Sequence, residues 1–210
     1  MNRYLVAAVL GAANLLSGQD EFLKWDAKRA REIALSGRVN GQVGKSLDFR
    51  VTATDRSYNF KLRATWLTPE IIRALARIEQ ELKALSALET QQLVAAATAS
   101  GSIIVQVEID PREGSGIIPS DWVALLGPRQ LNQSVPRAVR GTSRPDLRNL
   151  PALAVVPPRD YSYEVFWVVF PAIGPDGQRL FAPGDTEAEL SVRIQGKVGK
   201  VRLPVPESIR

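Results

Sequence analysis

Alternation of apolar and polar residues is the strongest constraint on the fold of this chain. In an extended strand successive side chains point to opposite faces, so alternation places the apolar residues on one buried face. Residues 47–54 and 58–66 both alternate and are separated only by Asp55-Arg56-Ser57. This pattern predicts a β-hairpin with one buried face and one solvated face.

Three further stretches read as strands. Residues 103–109 alternate, and residues 187–194 alternate and are joined to residues 201–205 by a glycine-bounded turn at 196–199, which predicts a second hairpin. Residues 161–171 contain an apolar run from Val165 to Phe170. Because both faces of that run are apolar, we expect a strand that is covered on both sides.

The pattern between the first hairpin and residue 100 is helical. Thr68 and Pro69 suit a helix start, and apolar residues follow at spacings of three and four, namely Ile71, Leu75, Ile78, Leu82 and Leu85. Ser86 and Glu89 have the spacing of a capping box, which predicts a second helix ending near Ala99. We expect the first helix to pack on the sheet of its own chain.

The predicted fold class is mainly β: an immunoglobulin-like antiparallel β-sandwich of about seven strands with a helical insertion at 68–100. The alternative is a two-layer α+β fold, in which the helices cover one sheet face. Residues 46–210 are predicted to form this single domain. Within it, residues 119–126 read as a short helix stopped by Gly127 and Pro128, and residues 153–156 as a short strand.

The N-terminus predicts export. Arg3 precedes an apolar run from Tyr4 to Leu16, which is too short to span a bilayer but typical of a secretory signal. Residues 1–18 are therefore predicted to be a signal peptide, and residues 19–45 an N-terminal helix and linker. The expected location is periplasmic or secreted, and no transmembrane segment is predicted in the mature chain.

The composition excludes much catalytic chemistry. The chain has no histidine and no cysteine, so Ser-His-Asp and Cys-His triads, disulfides and His- or Cys-ligated metal sites are impossible within it. No catalytic residue, metal site or cofactor is predicted. The acid pairs Glu108/Asp110 and Glu187/Glu189 each share a strand face, which is ordinary on a solvated surface and weak support for a hydrolase.

Positive charge is concentrated in one segment. Residues 127–150 carry five arginines against the single acid Asp146, in a chain of formal charge +5. Arginine clusters bind phosphates and carboxylates through planar, forked hydrogen bonds. The segment contains no aromatic residue for base stacking, so a nucleic-acid partner is disfavoured. The predicted binding residues are Arg137, Arg140, Arg144 and Arg148, with Trp122 as an exposed apolar anchor.

These observations favour an exported, non-enzymatic binding or surface-interaction domain whose partner is a protein or an anionic component of the cell envelope. Two alternatives remain open. A structural subunit of an envelope assembly predicts a large exposed apolar patch on the 71–85 helix. A carboxylate-based hydrolase acting on polysaccharide predicts two acids that converge in a cleft.

Overall fold

The computed structural model describes most of the chain after residue 20, namely residues 21–44, 59–112, 117–129, 137–156, 158–174 and 176–210. The predicted signal peptide, residues 1–18, lies outside the described residues. The first strand of the predicted N-terminal hairpin, residues 47–54, also lies outside them.

The described residues form three α-helices, ten β-strands and several 3-10 turns. The helices are α1 (Ala27–Ser36), α2 (Pro69–Lys83) and α3 (Ala87–Ala99). The strands are β1 (Arg38–Asn40), β2 (Gln42–Val43), β3 (Phe60–Trp66), β4 (Ile103–Pro111), β5 (Val123–Pro128), β6 (Val139–Arg140), β7 (Thr142–Ser143), β8 (Glu164–Phe170), β9 (Glu187–Ile194) and β10 (Lys197–Pro204). Strands β1 and β2 lie in the segment that the sequence assigned to the linker.

The strands form two antiparallel five-stranded sheets, with the orders β1-β3-β4-β8-β7 and β2-β10-β9-β5-β6. One core lies between them and contains alternate residues of both sheets, such as Val105 and Val107 from β4 and Leu190 and Val192 from β9. The prediction of a mainly β, immunoglobulin-like sandwich is not confirmed, because 33% of the chain is helical and 34% is strand. The architecture fits the α+β alternative.

The helices cover the opposite face of the β1-β3-β4-β8-β7 sheet, where Ile104 and Trp167 join a second core with α1 and α2. Helix α2 begins as predicted, with the Thr68 hydroxyl accepting from the Ile71 amide at 3.2 Å. The predicted capping box of Ser86 and Glu89 begins α3. This packing confirms that the helix covers the sheet of its own chain.

The two sheets are connected at both edges, because each edge strand of one sheet is joined along the chain to an edge strand of the other. The chain passes from β1 in one sheet to β2 in the other through Gly41, and from β6 to β7 through Gly141. A Cβ atom on Gly141 would lie 2.6 Å from Cε1 of Phe170 and would also meet Val168. Glycine is therefore needed where this strand crosses, and such crossings cover backbone groups that an open edge would leave unpaired.

Two local predictions are wrong. Residues 123–128 form strand β5, which pairs with β9 and β6, whereas a short helix over 119–126 was expected. Residues 151–153 form a 3-10 turn, whereas a short strand was expected at 153–156. Both segments are short apolar runs, for which tertiary pairing decides between helix and strand. The hairpin of β9 and β10 is confirmed, with Gln195 and Gly196 at positive φ in its turn.

Candidate anion-binding site

The predicted arginines divide into paired and unpaired groups. Arg144 forms two hydrogen bonds with the carboxylate of Asp146, at 2.9 and 2.7 Å. Arg137 donates to Gln178 at 3.1 Å and lies 3.4 Å from Asp176. Carboxylates of the same chain already neutralise these two guanidinium groups. The groups therefore attract an external anion less strongly than their charge in the sequence suggests.

Arg140 and Arg148 have no side-chain partner among the described residues, and both are exposed. Arg140 belongs to β6 and stands alone on the surface. Arg148 lies in the 3-10 turn Pro145–Asn149 and lines a cleft. Of the four predicted arginines, Arg148 is the one that lines this cleft.

Trp122 is not the exposed anchor that was expected. It lies just before β5, is half-buried, and packs edge-on against Phe166 with ring centroids 5.0 Å apart. Its expected position on a rim depended on the helix that the structure replaces with β5. Trp122 therefore extends the core between the sheets.

The cleft at Arg148 has a volume of about 620 Å³. It lies on the face of the β1-β3-β4-β8-β7 sheet that the helices also cover, next to the start of β8. Its described lining combines two guanidinium groups, one amide and an apolar surface, from Arg148, Asn149, Ala154, Val155, Arg159, Val165 and Trp167. No described lining residue is acidic, so the two guanidinium groups are the charged groups of the described lining.

Buried hydrogen bonds hold the apolar wall of the cleft. The indole N–H of Trp167 donates to the Leu153 carbonyl at 2.7 Å. Gln106, which is opposite Trp167 in the sheet register, donates from its amide to the Ala154 carbonyl at 3.3 Å. Since the wall is bonded to the central strand β4, the cleft is preformed, as ligand sites usually are.

Arg159 reaches the cleft from a segment without regular secondary structure, residues 158–163, which we call the strap. Its guanidinium carbon lies 5.0 Å from the ring centroid of Tyr161. The Arg159 guanidinium has no hydrogen-bonding partner among the described residues. Arg159 and Arg148 are thus two uncompensated cations at one cavity, the arrangement that suits a phosphate or carboxylate.

A buried ion-pair network lies beside the cleft, beneath the strap. The carboxylate of Glu108 accepts two hydrogen bonds from Arg63, both 2.9 Å long, and lies 3.3 Å from Nε of Arg38. Arg63 also lies 3.4 Å from Asp160 and stacks on the ring of Tyr163. Arg38, Arg63 and Glu108 belong to β1, β3 and β4, respectively, and Asp160 belongs to the strap. The network therefore links these three strands to the strap.

The pKa values of the two arginines of this network are shifted in opposite directions. Burial lowers the pKa of Arg38 below its ordinary value, against the attraction of Glu108. Burial also acts to lower the pKa of Arg63, but the hydrogen bonds and charge of Glu108 outweigh it and raise that pKa. Both groups stay charged at neutral pH, so Glu108 is compensated twice.

The acid pairs differ from the sequence prediction. Glu108 and Asp110 are buried, because the strap covers the face on which a solvated pair was expected. Glu108 is hydrogen-bonded to Arg63 and ion-paired with Arg38, and Asp110 lies 3.3 Å from Lys61. Glu187 and Glu189 are ion-paired with Arg129 and Lys200. None of these four carboxylates stands free to act as an acid or base.

The described residues hold neither a metal-binding cluster nor a membrane-spanning helix. Acidic side chains do not gather there in a group of three or more that would hold a metal ion. No helix in the described part of the chain has the length and apolar character needed to cross a bilayer. Comparison of the chain with protein-family models, curated proteins and solved structures finds no match.

Sequence reasoning missed three residues of the cleft, Arg159, Trp167 and Asn149. Arg159 follows two prolines outside the arginine-rich segment, and Trp167 reads as an ordinary core residue. The sequence signal that could have indicated Arg159 was its position as a basic residue just before the strand predicted at 161–171. That signal becomes informative only with the fold, which brings the segment carrying Arg159 back to the end of the basic segment, residues 127–150.

Proposed function

We propose that the chain is an exported, non-enzymatic binding domain, acting in the periplasm or outside the cell, that recognises an anionic group on an envelope partner. The observation that carries the proposal is the pair of unpaired guanidinium groups, Arg148 and Arg159, at one preformed cleft. The apparent signal peptide supports export. The proposal shifts the binding site from the centre of the basic segment to its end.

The lining defines the ligand chemistry. Two guanidinium groups form strong, directional hydrogen bonds with a phosphate or a carboxylate. The indole N–H of Trp167 is already bonded to Leu153, so this ring offers only apolar surface. Val155 and Val165 extend that surface. The cleft thus suits an anionic group attached to an apolar moiety better than a free inorganic ion.

The test uses phenyl phosphate as the probe and isothermal titration calorimetry as the readout. We expect binding to the wild type, weaker binding of inorganic phosphate, and loss of phenyl phosphate binding in the Arg148→Glu/Arg159→Glu variant. The matched control is Arg140→Glu/Arg144→Glu, which makes the same change in charge outside the cleft. Equal losses in both variants, or no binding to the wild type, would contradict the proposal.

Vesicles distinguish how the ligand is presented. Sedimentation with phosphatidylglycerol vesicles, compared with phosphatidylcholine vesicles, reports whether a membrane supplies the anionic group. Binding that requires Arg148 and Arg159 identifies the lipid phosphate as a ligand of the cleft. Binding that survives their reversal assigns the interaction to general surface charge, which is strongly screened by salt.

The alternatives have less support. The helix stripe predicted for a structural subunit is buried at Ile71, Leu75 and Ile78, which leaves Leu82 and Leu88 exposed at the end of the helix pair. The edge strands of both sheets are only two or three residues long among the described residues, which gives strand addition little length to pair with. The hydrolase alternative needs a free acid, and the predicted acids are all paired with cations.

A further inference from the structure

The strap that carries Arg159 has few hydrogen bonds of its own. The Tyr163 amide donates to the Asp160 carbonyl at 3.2 Å, and the Ser162 amide donates to Oδ1 of Asp160 at 3.1 Å. Both bonds lie on the C-terminal side of Arg159. Because a segment with so little internal bonding is ordered mainly by its surroundings, the contacts between strap and sheet fix where Arg159 lies.

Arg38 holds the N-terminal end of the strap. Its guanidinium donates to the carbonyl of Val156, and its Nη1 donates to the carbonyl of Pro158 at 3.4 Å. Pro158 immediately precedes Arg159. The Arg38 side chain is 13% exposed, so its bond to the Val156 carbonyl is partly shielded from water, whereas its bond to the Pro158 carbonyl lies at the surface.

Arg63 holds the C-terminal end. Its guanidinium carbon lies 3.8 Å from the ring centroid of Tyr163, which is buried, and its Nη1 lies 3.4 Å from Oδ2 of Asp160. The stacking contact is close enough for a cation–π attraction. Arg159 therefore lies between two points at which buried arginines hold the chain.

Glu108 makes this arrangement possible. Two guanidinium groups packed side by side repel each other, and Arg63 accordingly acts to lower the pKa of Arg38. The Glu108 side chain, 1% exposed, lies between them, hydrogen-bonded to Arg63 and ion-paired with Arg38. An unpaired buried charge is strongly unfavourable, so the carboxylate is required for both arginines to stay in place.

We propose that Arg38, Arg63 and Glu108 are positioning residues that hold the strap so that Arg159 faces the cleft beside Arg148. The inference rests on the proposed function for its ligand, but it makes a structural claim of its own. The three residues touch no part of the cleft, since none of them lines it. They act through the strap and through the carbonyl of Val156, which lies just before it.

The main variant is Arg38→Lys, which keeps the positive charge beside Glu108 but removes the planar fork that reaches two carbonyl groups. The matched control is Arg129→Lys, which makes the same change in an exposed ion pair on the other sheet. Asp160→Asn is a second, milder variant, since it removes the charge and the acceptor oxygen that face Arg63 and leaves one oxygen for Ser162. Hydrogen exchange of the strap, phenyl phosphate affinity and thermal midpoint are measured for each.

We expect the strap amides of Arg38→Lys to exchange at least about fivefold faster than wild type and phenyl phosphate affinity to fall about fivefold. Arg129→Lys leaves both unchanged. In an Arg159→Ala background, Arg38→Lys produces no further loss of affinity, because it acts through Arg159. If Arg38→Lys does not fold, Asp160→Asn carries the same comparison with smaller effects in the same direction.

Unchanged strap exchange in both variants would overturn the inference, as would losses of affinity that add to that of Arg159→Ala. If the wild type does not bind phenyl phosphate, the proposed function fails while hydrogen exchange still decides the positioning claim. Faster exchange confined to the strap amides of the variant then supports the positioning claim, and exchange at the wild-type rate overturns that claim.

Discussion

Arg63 and Glu108 face each other directly in the register of β3 and β4 and form two parallel hydrogen bonds, each 2.9 Å long. The carboxylate is buried, and a second guanidinium, that of Arg38, lies on its other side. This arrangement links the sheet to the strap, and through the strap to the cleft.

Removing the central carboxylate leaves two partly buried guanidinium groups without their main partner. We expect Glu108→Ala to lower the free energy of unfolding by about 3–5 kcal/mol, as measured by urea denaturation. The matched control is Glu189→Ala, which breaks the exposed pair with Lys200 and should cost no more than about 1 kcal/mol. Similar losses for the two variants would contradict the role given to Glu108.

The strand crossing at Gly141 has no space for a side chain. Gly141→Ala places a methyl group against Val168 and Phe170, so we expect a loss of about 1–3 kcal/mol in the free energy of unfolding. Gly184→Ala is the control, because nothing lies within 4 Å of its added Cβ atom. The account of the shared edge is wrong if the two variants melt at the same temperature.

Two leucines of the α2 stripe should differ sharply in their contribution to stability. Leu75 is 3% exposed, whereas Leu82 is 70% exposed. Truncation of Leu75 to alanine is expected to cost about 2–5 kcal/mol, and truncation of Leu82 no more than about 0.5 kcal/mol. Thermal denaturation of both variants checks this, and a large loss at Leu82 would show that this residue is covered in solution.

The strap should contribute to stability in a pH-dependent way. Hydrogen bonds from Ser162 hold the pKa of Asp160 below its ordinary value of 3.8, and Arg63 acts in the same direction. A carboxyl with a lowered pKa stabilises the folded state above its ordinary pKa, and this contribution disappears as the pH falls through the lowered value.

Wild type and Asp160→Asn should therefore differ in urea midpoint at neutral pH and converge as the pH falls through the lowered pKa of Asp160. Measuring both midpoints over this pH range tests the expectation. A difference that does not change with pH would mean that the charge of Asp160 is not involved.

Among the described residues, strands were predictable where alternation was long, as in β9 and β10, because a period of two leaves little choice of structure. The strand Val123–Pro128 was not predictable, since its short apolar run suits either a helix or a strand until β9 supplies a partner. The face of β4 that carries Glu108 reads as solvated. It is buried because a segment about 50 residues further along the chain lies over it.

The candidate site was predictable only in part. The concentration of arginine pointed to the right region and included Arg148. Which arginines stay unpaired depends on contacts that the sequence does not display, such as the one between Arg137 and Asp176, 39 positions apart. Arg159 belongs to the site because the fold returns the strap to the end of the basic segment.

The most direct test of the binding site is an NMR titration with phenyl phosphate, following the Nε–H signals of arginine and the indole N–H signals of tryptophan. The account predicts saturable shifts at Trp167, Arg148 and Arg159, with the Trp122 and Arg140 signals unmoved. Shifts centred on Arg137, Arg140 and Arg144, or none that saturate, would contradict it.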